Sequence, residues 1–447
     1  MSDDRDRSGD AARNWQPGSP GRSGHPDQYR RRKRPGIAYV GCCIAATLIL
    51  VASGFAWVGL RTLDGIASSD AIPSGPSTGA QNILLMGIES RRYWNGDILP
   101  PAILAKLHAG SAQAVANGVG GNDTNTLILI HIFADGRKAV GFSIPRDDWV
   151  QFAGTIGPQQ SGKIDQAYGV SMFYREQQLS QTDPGISQDR LAALGNEAGQ
   201  AAAVATVEKL TGVHIDHFAA LNLYGFYEIA KVLGGVEVCL NHSVHDVNSG
   251  ANFPAGYQHL DAAQALAFVR QRDGLPNGDL DRTHRQQAFL DSVMHQLRTD
   301  GVLSDLTKIQ ALLNAVRQYA VTDSGWNLLD FAAEARNLTS SRLVFYTLPI
   351  EGYATIDGQD ANQVDPAYIQ QIVRTAFYSG PARGRPKGSA ARAAGQVRKL
   401  LAVRAGMPTA TTGSVVSQQN PSPGPAIPTT GPQGSAVAAK NGIPCVN

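Results

Sequence analysis

Three shortages narrow what this 447-residue chain can be. Lysine plus arginine number 39 against 37 aspartates and glutamates, a formal net charge of +2, so the chain as a whole is not adapted to a polyanion and any nucleic-acid site would have to be local. Cysteine occurs only four times, with no C-x-x-C and no Cys/His spacing of the kind zinc needs, which leaves structural or free thiols. No internal repeat is present, and aliphatic residues are nearly missing from 1–34. That opening stretch of Asp, Arg, Gly, Ser and Pro cannot bury enough apolar surface to fold alone. Residues 1–36 are therefore expected to be a disordered cytoplasmic tail. The Gly/Pro/Ser/Thr/Ala-rich 381–447, with a basic stretch from Arg383 to Lys399, is expected to be a disordered low-complexity tail as well.

What is present begins with one long uncharged run, Ile37 to Leu60. At about 1.5 Å per helical residue it crosses a hydrocarbon core of about 30 Å. Residues 37–60 read as a transmembrane helix. The run Arg30-Arg31-Arg32-Lys33-Arg34 before it keeps the N-terminus in the cytoplasm and sends the rest outward, giving a single-pass protein of the cell membrane. A cleaved signal peptide fits less well, because the run exceeds the usual apolar core of about 7–15 residues and no A-x-A site follows. Five basic residues beside a span are explained by topology and anionic lipid, and no nucleic-acid partner is expected. Cys42 and Cys43 fall in the span, whereas Cys239 and Cys445 fall outside it, where oxidising conditions permit a disulfide.

A Ser/Gly/Pro-rich linker over 61–80 precedes a folded domain expected at 81–380. Asn82 to Gly87 is a short apolar run that reads as a buried strand with Glu89 at its tip. Thr126–Ile132 and Ala139–Ile144 flank Asp135-Gly136, a hairpin signal. Antiparallel pairing then brings their outer ends together, and with them Asp123 and Arg146. The long Arg91–Gly121 segment between these strands is expected to be a flap. Helical spacing over Gly199–Thr211 ends at Gly212, and helix–strand alternation through Val236–Leu240 predicts a layered α/β fold.

The densest chemistry lies in Arg270-Gln271-Arg272, then Gly278-Asp279-Leu280-Asp281-Arg282, then Arg285-Gln286-Gln287. Arg282 and Gln286 stand one helical turn apart on one face, with Asp279 just before that helix begins. Arg146, Arg270, Arg272 and Arg282 offer more fixed positive charge than one carboxylate needs, and their forks suit a pyrophosphate. Asp123 and Asp279 supply hard oxygen ligands for Mg²⁺ or Mn²⁺. The alternative is a set of ordinary helix-surface salt bridges. Lys163 reads as solvated, and His214 and His217 as structural. Phe218, Leu221, Leu223, Tyr224 and Phe226 suit either a core or a tunnel for an apolar chain.

The ordered set Asn82-Ile83-Leu84-Leu85-Met86-Gly87-Ile88-Glu89, Asn122-Asp123-Thr124, Ser143-Ile144-Pro145-Arg146-Asp147, Val269-Arg270-Gln271-Arg272 and Gly278-Asp279-Leu280-Asp281-Arg282 through Gln286-Gln287 resembles the LytR-CpsA-Psr family over roughly residues 81–297. The resemblance implies a mixed central sheet between helical layers. It also implies an extracytoplasmic transferase that moves a wall glycopolymer from a polyprenyl-pyrophosphate carrier to peptidoglycan through a phosphodiester, assisted by Mg²⁺. By position Asp123 and Asp279 match the metal-associated acids, with Glu89 where the family usually has Asp. Arg146, Arg270, Arg272, Arg282 and Gln286 match the pyrophosphate-binding set. The 91–121 insertion is similar to that of members from high-GC Gram-positive bacteria, in which the polymer is often arabinogalactan. A metal-dependent pyrophosphate hydrolase and a non-catalytic carrier-binding regulator remain as alternatives.

Overall fold

The computed structural model of the chain describes residues 67–378, 395–401 and 443–447, apart from 74, 77, 119, 135–137, 300–304, 329 and 332–342. The expected span at 37–60 lies outside the described residues; among those described, no helix is long and apolar enough to cross a membrane.

Seven strands form the central sheet: Ala67–Ser69 (β1), Gln81–Ile88 (β2), Thr126–Ile132 (β3), Ala139–Ser143 (β4), His217–Asn222 (β5), Ala320–Asp323 (β6) and Leu343–Thr347 (β7). Their order is β1-β6-β5-β2-β3-β4-β7. β2 pairs antiparallel with β3 and parallel with β5, and β3 with β4 antiparallel, so the sheet is mixed as expected. The hairpin predicted around Asp135-Gly136 is this β3–β4 pair, its tip at 135–137 lying outside the described residues.

Strand periodicity divides the apolar residues of β2 between two layers. Leu84, Met86 and Ile88 join the larger core with Phe142, Phe218 and Val207, under helices Gln166–Thr182 (α1), Gln188–Thr211 (α2) and Pro366–Tyr378. Ser187 caps the start of α2 and left-handed Gly212 ends it. Helix α2 comes close to α1 because it carries glycine at the contact: a Cβ on Gly199 would stand 2.9 Å from the Tyr168 ring. On the other face Leu85, Gly87, Ile128, Ala219 and Leu221 line a cavity. Helices Leu223–Val232 (α3), Ala262–Arg270 (α4) and Asp279–Thr299 (α5) cover that face. Asn222 caps α3, and Asp261 with Gln264 forms a capping box on α4.

Three expectations need correction. The 61–80 linker contains the edge strand β1, which pairs with β6, and its Ile72 is buried in the main core. The 91–121 segment is a packed cap, holding helices at Pro101–Lys106 and Ala112–Ala116 and burying Leu99, Leu104, Leu107 and Val115 in a second core. Inside the 381–447 tail, 395–401 is helical and buries Val397 and Leu401. Cys445–Val446 pairs in parallel with Val236–Leu240, and Cys445 is bonded to Cys239. Tail-averaged composition hides such short apolar pieces. On chain-entropy grounds a cystine closing so long a loop stabilises the fold by about 5 kcal/mol.

Of the two histidines read as structural, one is buried and one is on the surface. His217 is fully buried, bonded through Nδ1 to Asp323 at 2.9 Å and through Nε2 to the Pro76 carbonyl at 3.0 Å, and stacked on Trp326. His214 stays on the surface with Glu208. His131 in β3 couples folding to pH: it stacks on Phe377, contacts Asn82 Oδ1 at 2.8 Å, and burial, opposed by Asp216, pulls its pKa down to about 4. An unfolded histidine titrates near 6.5. Between about 4 and 6.5 the unfolded chain binds a proton the folded chain refuses, so this contribution is complete above the window and lost as pH falls through it. Urea unfolding at pH 4.5 and 7 is expected to show a smaller stability loss in His131→Gln than in wild type; equal losses would contradict the assignment.

Candidate functional site

The site forms where the outer ends of β2, β3 and β4 meet the end of α4 and the start of α5. Glu89 follows β2, Asp123 precedes β3, Arg146 follows β4, Arg270 closes α4, and Asp279, expected just outside a helix, is the first residue of α5. The hairpin argument for Asp123 and Arg146 holds: the Arg146 guanidinium is close enough to oppose the upward push that burial gives the Asp123 carboxyl.

Each charged group has a definite partner. Glu89 Oε1 accepts from Arg270 Nη2 at 3.0 Å and Arg91 Nη2 at 3.1 Å, and Oε2 from Asn125 Nδ2 at 2.7 Å. Burial alone would raise its pKa, but the two guanidiniums and the amide override it and hold Glu89 below the ordinary carboxylate range. Both Glu89 oxygens are thus engaged, and the carboxylate orients Arg91, Arg270 and Asn125. Asn125 Oδ1 in turn accepts from Arg146 Nη1 at 2.7 Å. Arg146 Nε lies 3.2 Å from Asp279 and 3.4 Å from Asp147, and Nη1 lies 3.9 Å from Asp165. Burial would lower the Arg146 pKa; these three carboxylates raise it instead. Arg282 is ion-paired with Asp279 one turn away on α5 and buried enough to depress its own pKa. Gln286 donates to Thr126 Oγ1 at 2.8 Å. Arg272 alone is half exposed, loosely paired with Asp273 at 3.8 Å.

Four groups absent from the expected set belong here. Arg91 donates to the carbonyls of Ala109 and Gly120, both at 2.9 Å, tying the 91–121 cap to the site; its place two residues after Glu89, on the same side of an extended chain, was the available signal. Asn125 stands likewise two residues after Asp123. Lys163, expected in solvent, is mostly buried and bonded to Asp147 at 2.9 Å. Asp165, buried and facing the Asp123 charge, is pushed up to about 8.

Beyond this cluster the cavity extends to about 710 Å³. Its lining follows α5 from Arg282 and Gln286 to Phe289, Leu290 and Val293, so it turns from charged to apolar over about 16 Å of helix. Leu221, Leu223 and Phe226 line it, whereas Phe218 is in the main core and Tyr224 packs against Tyr93 and Tyr319. The arrangement suits one ligand with an anionic head and an apolar tail.

The LytR_cpsA_psr family model matches residues 64–377. Over 346 residues the chain is 34% identical to the cell wall biosynthesis protein LcpA of Corynebacterium glutamicum, covering 73% of this chain and 64% of that protein, so it spans under two thirds of that relative. It is 28% identical to the polyisoprenyl-teichoic acid–peptidoglycan teichoic acid transferase TagU of Bacillus mycoides, over 54% of this chain and 66% of that one. The crystal structure of protein gbs0355 from Streptococcus agalactiae shares the fold, with a TM-score of 0.50 at 18% identity over 68% of this chain and 90% of that one.

Proposed function

Because the chain belongs to the LytR-CpsA-Psr family, whose model spans residues 64–377, we propose that it is a membrane-anchored transferase that moves a glycopolymer from a polyprenyl-pyrophosphate carrier to peptidoglycan. The observation that carries this reading is one cavity with an arginine-rich end at Arg146, Arg270, Arg272 and Arg282 that turns apolar along α5. A prenyl chain fits the second and its pyrophosphate the first. The similarity to the Corynebacterium protein supports a wall polymer of the high-GC Gram-positive type, with arabinogalactan the candidate. Anchoring by 37–60 would hold the domain at the membrane surface where such a carrier resides.

In this mechanism an acceptor hydroxyl attacks the phosphorus bearing the glycan and gives up its proton to solvent, the bond to the second phosphate breaks, and polyprenyl phosphate leaves with the bonding electron pair. Arg146, Arg270 and Arg282 hold the pyrophosphate in line and balance the charge that gathers on the departing phosphate, while Arg272 grips it from the exposed side. Gln286 fixes a phosphate oxygen or the attacking hydroxyl.

Mg²⁺, with Mn²⁺ as a substitute, fits Asp123 and Asp279. Among the described residues no three His, Cys, Asp or Glu side chains converge as a metal cage, but Mg²⁺ commonly takes one or two carboxylates and completes its shell with phosphates and water. Asp123 lines the cavity, and Asp279 Oδ2 is buried without a hydrogen bond while its Oδ1 is ion-paired with Arg146 and Arg282. When bound, the ion would supply charge neutralisation on the pyrophosphate.

Calorimetric titration with a short prenyl pyrophosphate tests this reading. Binding is expected to weaken by about tenfold or more when EDTA removes Mg²⁺, and to vanish for the matching prenyl alcohol. An alcohol that binds as well as the pyrophosphate would contradict the arginine end; no binding of either would contradict the cavity.

A further inference from the structure

The Arg270-Gln271-Arg272 segment is fastened from behind. Gln271 is the residue at which α4 ends, only 1% exposed, and its backbone sets the direction in which the chain leaves Arg270 for Arg272. Its side-chain Oε1 accepts from Arg285 Nη1 at 2.6 Å, and its Nε2 donates to the Asp273 carbonyl at 3.2 Å. Arg285 has no exposed surface, lies with its guanidinium 5.0 Å from the centre of the Phe268 ring, and donates from Nε to a main-chain oxygen of Asn447 at 2.6 Å.

Asn447 belongs to the segment that pairs with Val236–Leu240 and is bonded through Cys445 to Cys239. Its position is fixed further by Asn241, whose backbone N–H donates to the Val446 carbonyl at 2.8 Å and whose side chain donates to Asn447 Oδ1 at 3.0 Å. On the far side of Gln271, the Arg272 backbone N–H is close enough to the buried Asp246 carboxylate to help hold it below the ordinary range, after the donors from Ser249 and Asn248. A continuous path of buried polar contacts thus runs from the cystine to the loop that carries two of the anion-binding arginines.

A fully buried guanidinium is costly, and burial, opposed by the Asp281 and Asp246 charges, lowers its pKa to about 10. Its planar fork reaches two acceptors, on Gln271 and Asn447, that no shorter or single-headed side chain could join at once. We propose that Arg285 is a positioning residue: through Gln271 it transmits the place of the cystine-fastened strand 445–446 to the Arg270–Arg272 loop. The inference rests on the reading of those arginines as the pyrophosphate grip.

Hydrogen exchange on the full-length protein in detergent, with binding of farnesyl pyrophosphate measured in parallel, tests it. Gln271→Leu breaks the path at the loop, Cys239→Ser/Cys445→Ser loosens it at the strand, and Gln271→Glu keeps an acceptor for Arg285. The first two are each expected to raise exchange at the Arg272 amide, and to weaken farnesyl pyrophosphate, by about tenfold. Combined, they should do little more than either alone, because both cut one path. Gln271→Glu should remain within about twofold of wild type and melt near it, whereas Gln271→Leu, which strands Arg285 Nη1, should melt lower while still folding cooperatively. Unchanged exchange in Gln271→Leu, or two effects that multiply, would overturn the proposal. If exchange behaves as expected but wild type fails to bind farnesyl pyrophosphate, the path stands and the pyrophosphate reading falls; binding with unresponsive exchange means the reverse.

Discussion

Arg272→Ala is expected to slow glycan transfer by about a hundredfold or more while shifting the melting temperature by no more than about 2 °C. The two effects separate because this arginine lines the cavity yet is half exposed, its one ion-pair partner among the described residues being Asp273 at 3.8 Å. So loose a pair at the surface contributes little to folding. In the proposed mechanism its guanidinium grips the phosphate on which negative charge gathers as the pyrophosphate bond breaks, and a donor in that role is typically worth a factor of about 10²–10³. Initial rates together with scanning calorimetry check both halves. A folded variant with the wild-type rate would remove Arg272 from the mechanism.

Arg146→Ala should behave differently, losing transfer and stability together. Arg146 is mostly buried and stands among Asp279, Asp147 and Asp165 while also bonding Asn125. Deleting the cation leaves buried carboxylates facing one another. The cost of breaking such a buried arrangement is about 3–5 kcal/mol, and the accompanying loss of transfer is about a thousandfold. Arg146→Lys restores the charge without the fork, so urea unfolding should recover part of the stability while transfer stays low. Wild-type stability in Arg146→Ala would show that the carboxylates find another cation and that Arg146 is not the centre of the network.

Local rules made much of this legible. The apolar run 82–87, the hairpin flanks and the cap at Gly212 declare β2, β3, β4 and the end of α2, because strand alternation, helical spacing and capping all act within a few residues. Hairpin geometry sufficed to bring Asp123 to Arg146. Pairings between distant segments were not legible from periodicity. Nothing local says that Glu89 is held by Arg270 across 181 residues, or that Lys163 answers Asp147 instead of facing water. The last strand escaped for the same reason: its few apolar residues sit in a low-complexity tail, and only their pairing with Val236–Leu240 reveals them.

The most direct measurement is transfer itself. The full-length protein in detergent is incubated with Mg²⁺, peptidoglycan and a short glycan on polyprenyl pyrophosphate, and the wall fraction is analysed for covalently attached glycan phosphate. Attachment that depends on Mg²⁺ and on Arg272, with polyprenyl phosphate released in equal amount, is the predicted result. Free glycan phosphate with none attached would make the protein a hydrolase, and tight donor binding without turnover would make it a carrier-binding protein; either would contradict the transferase.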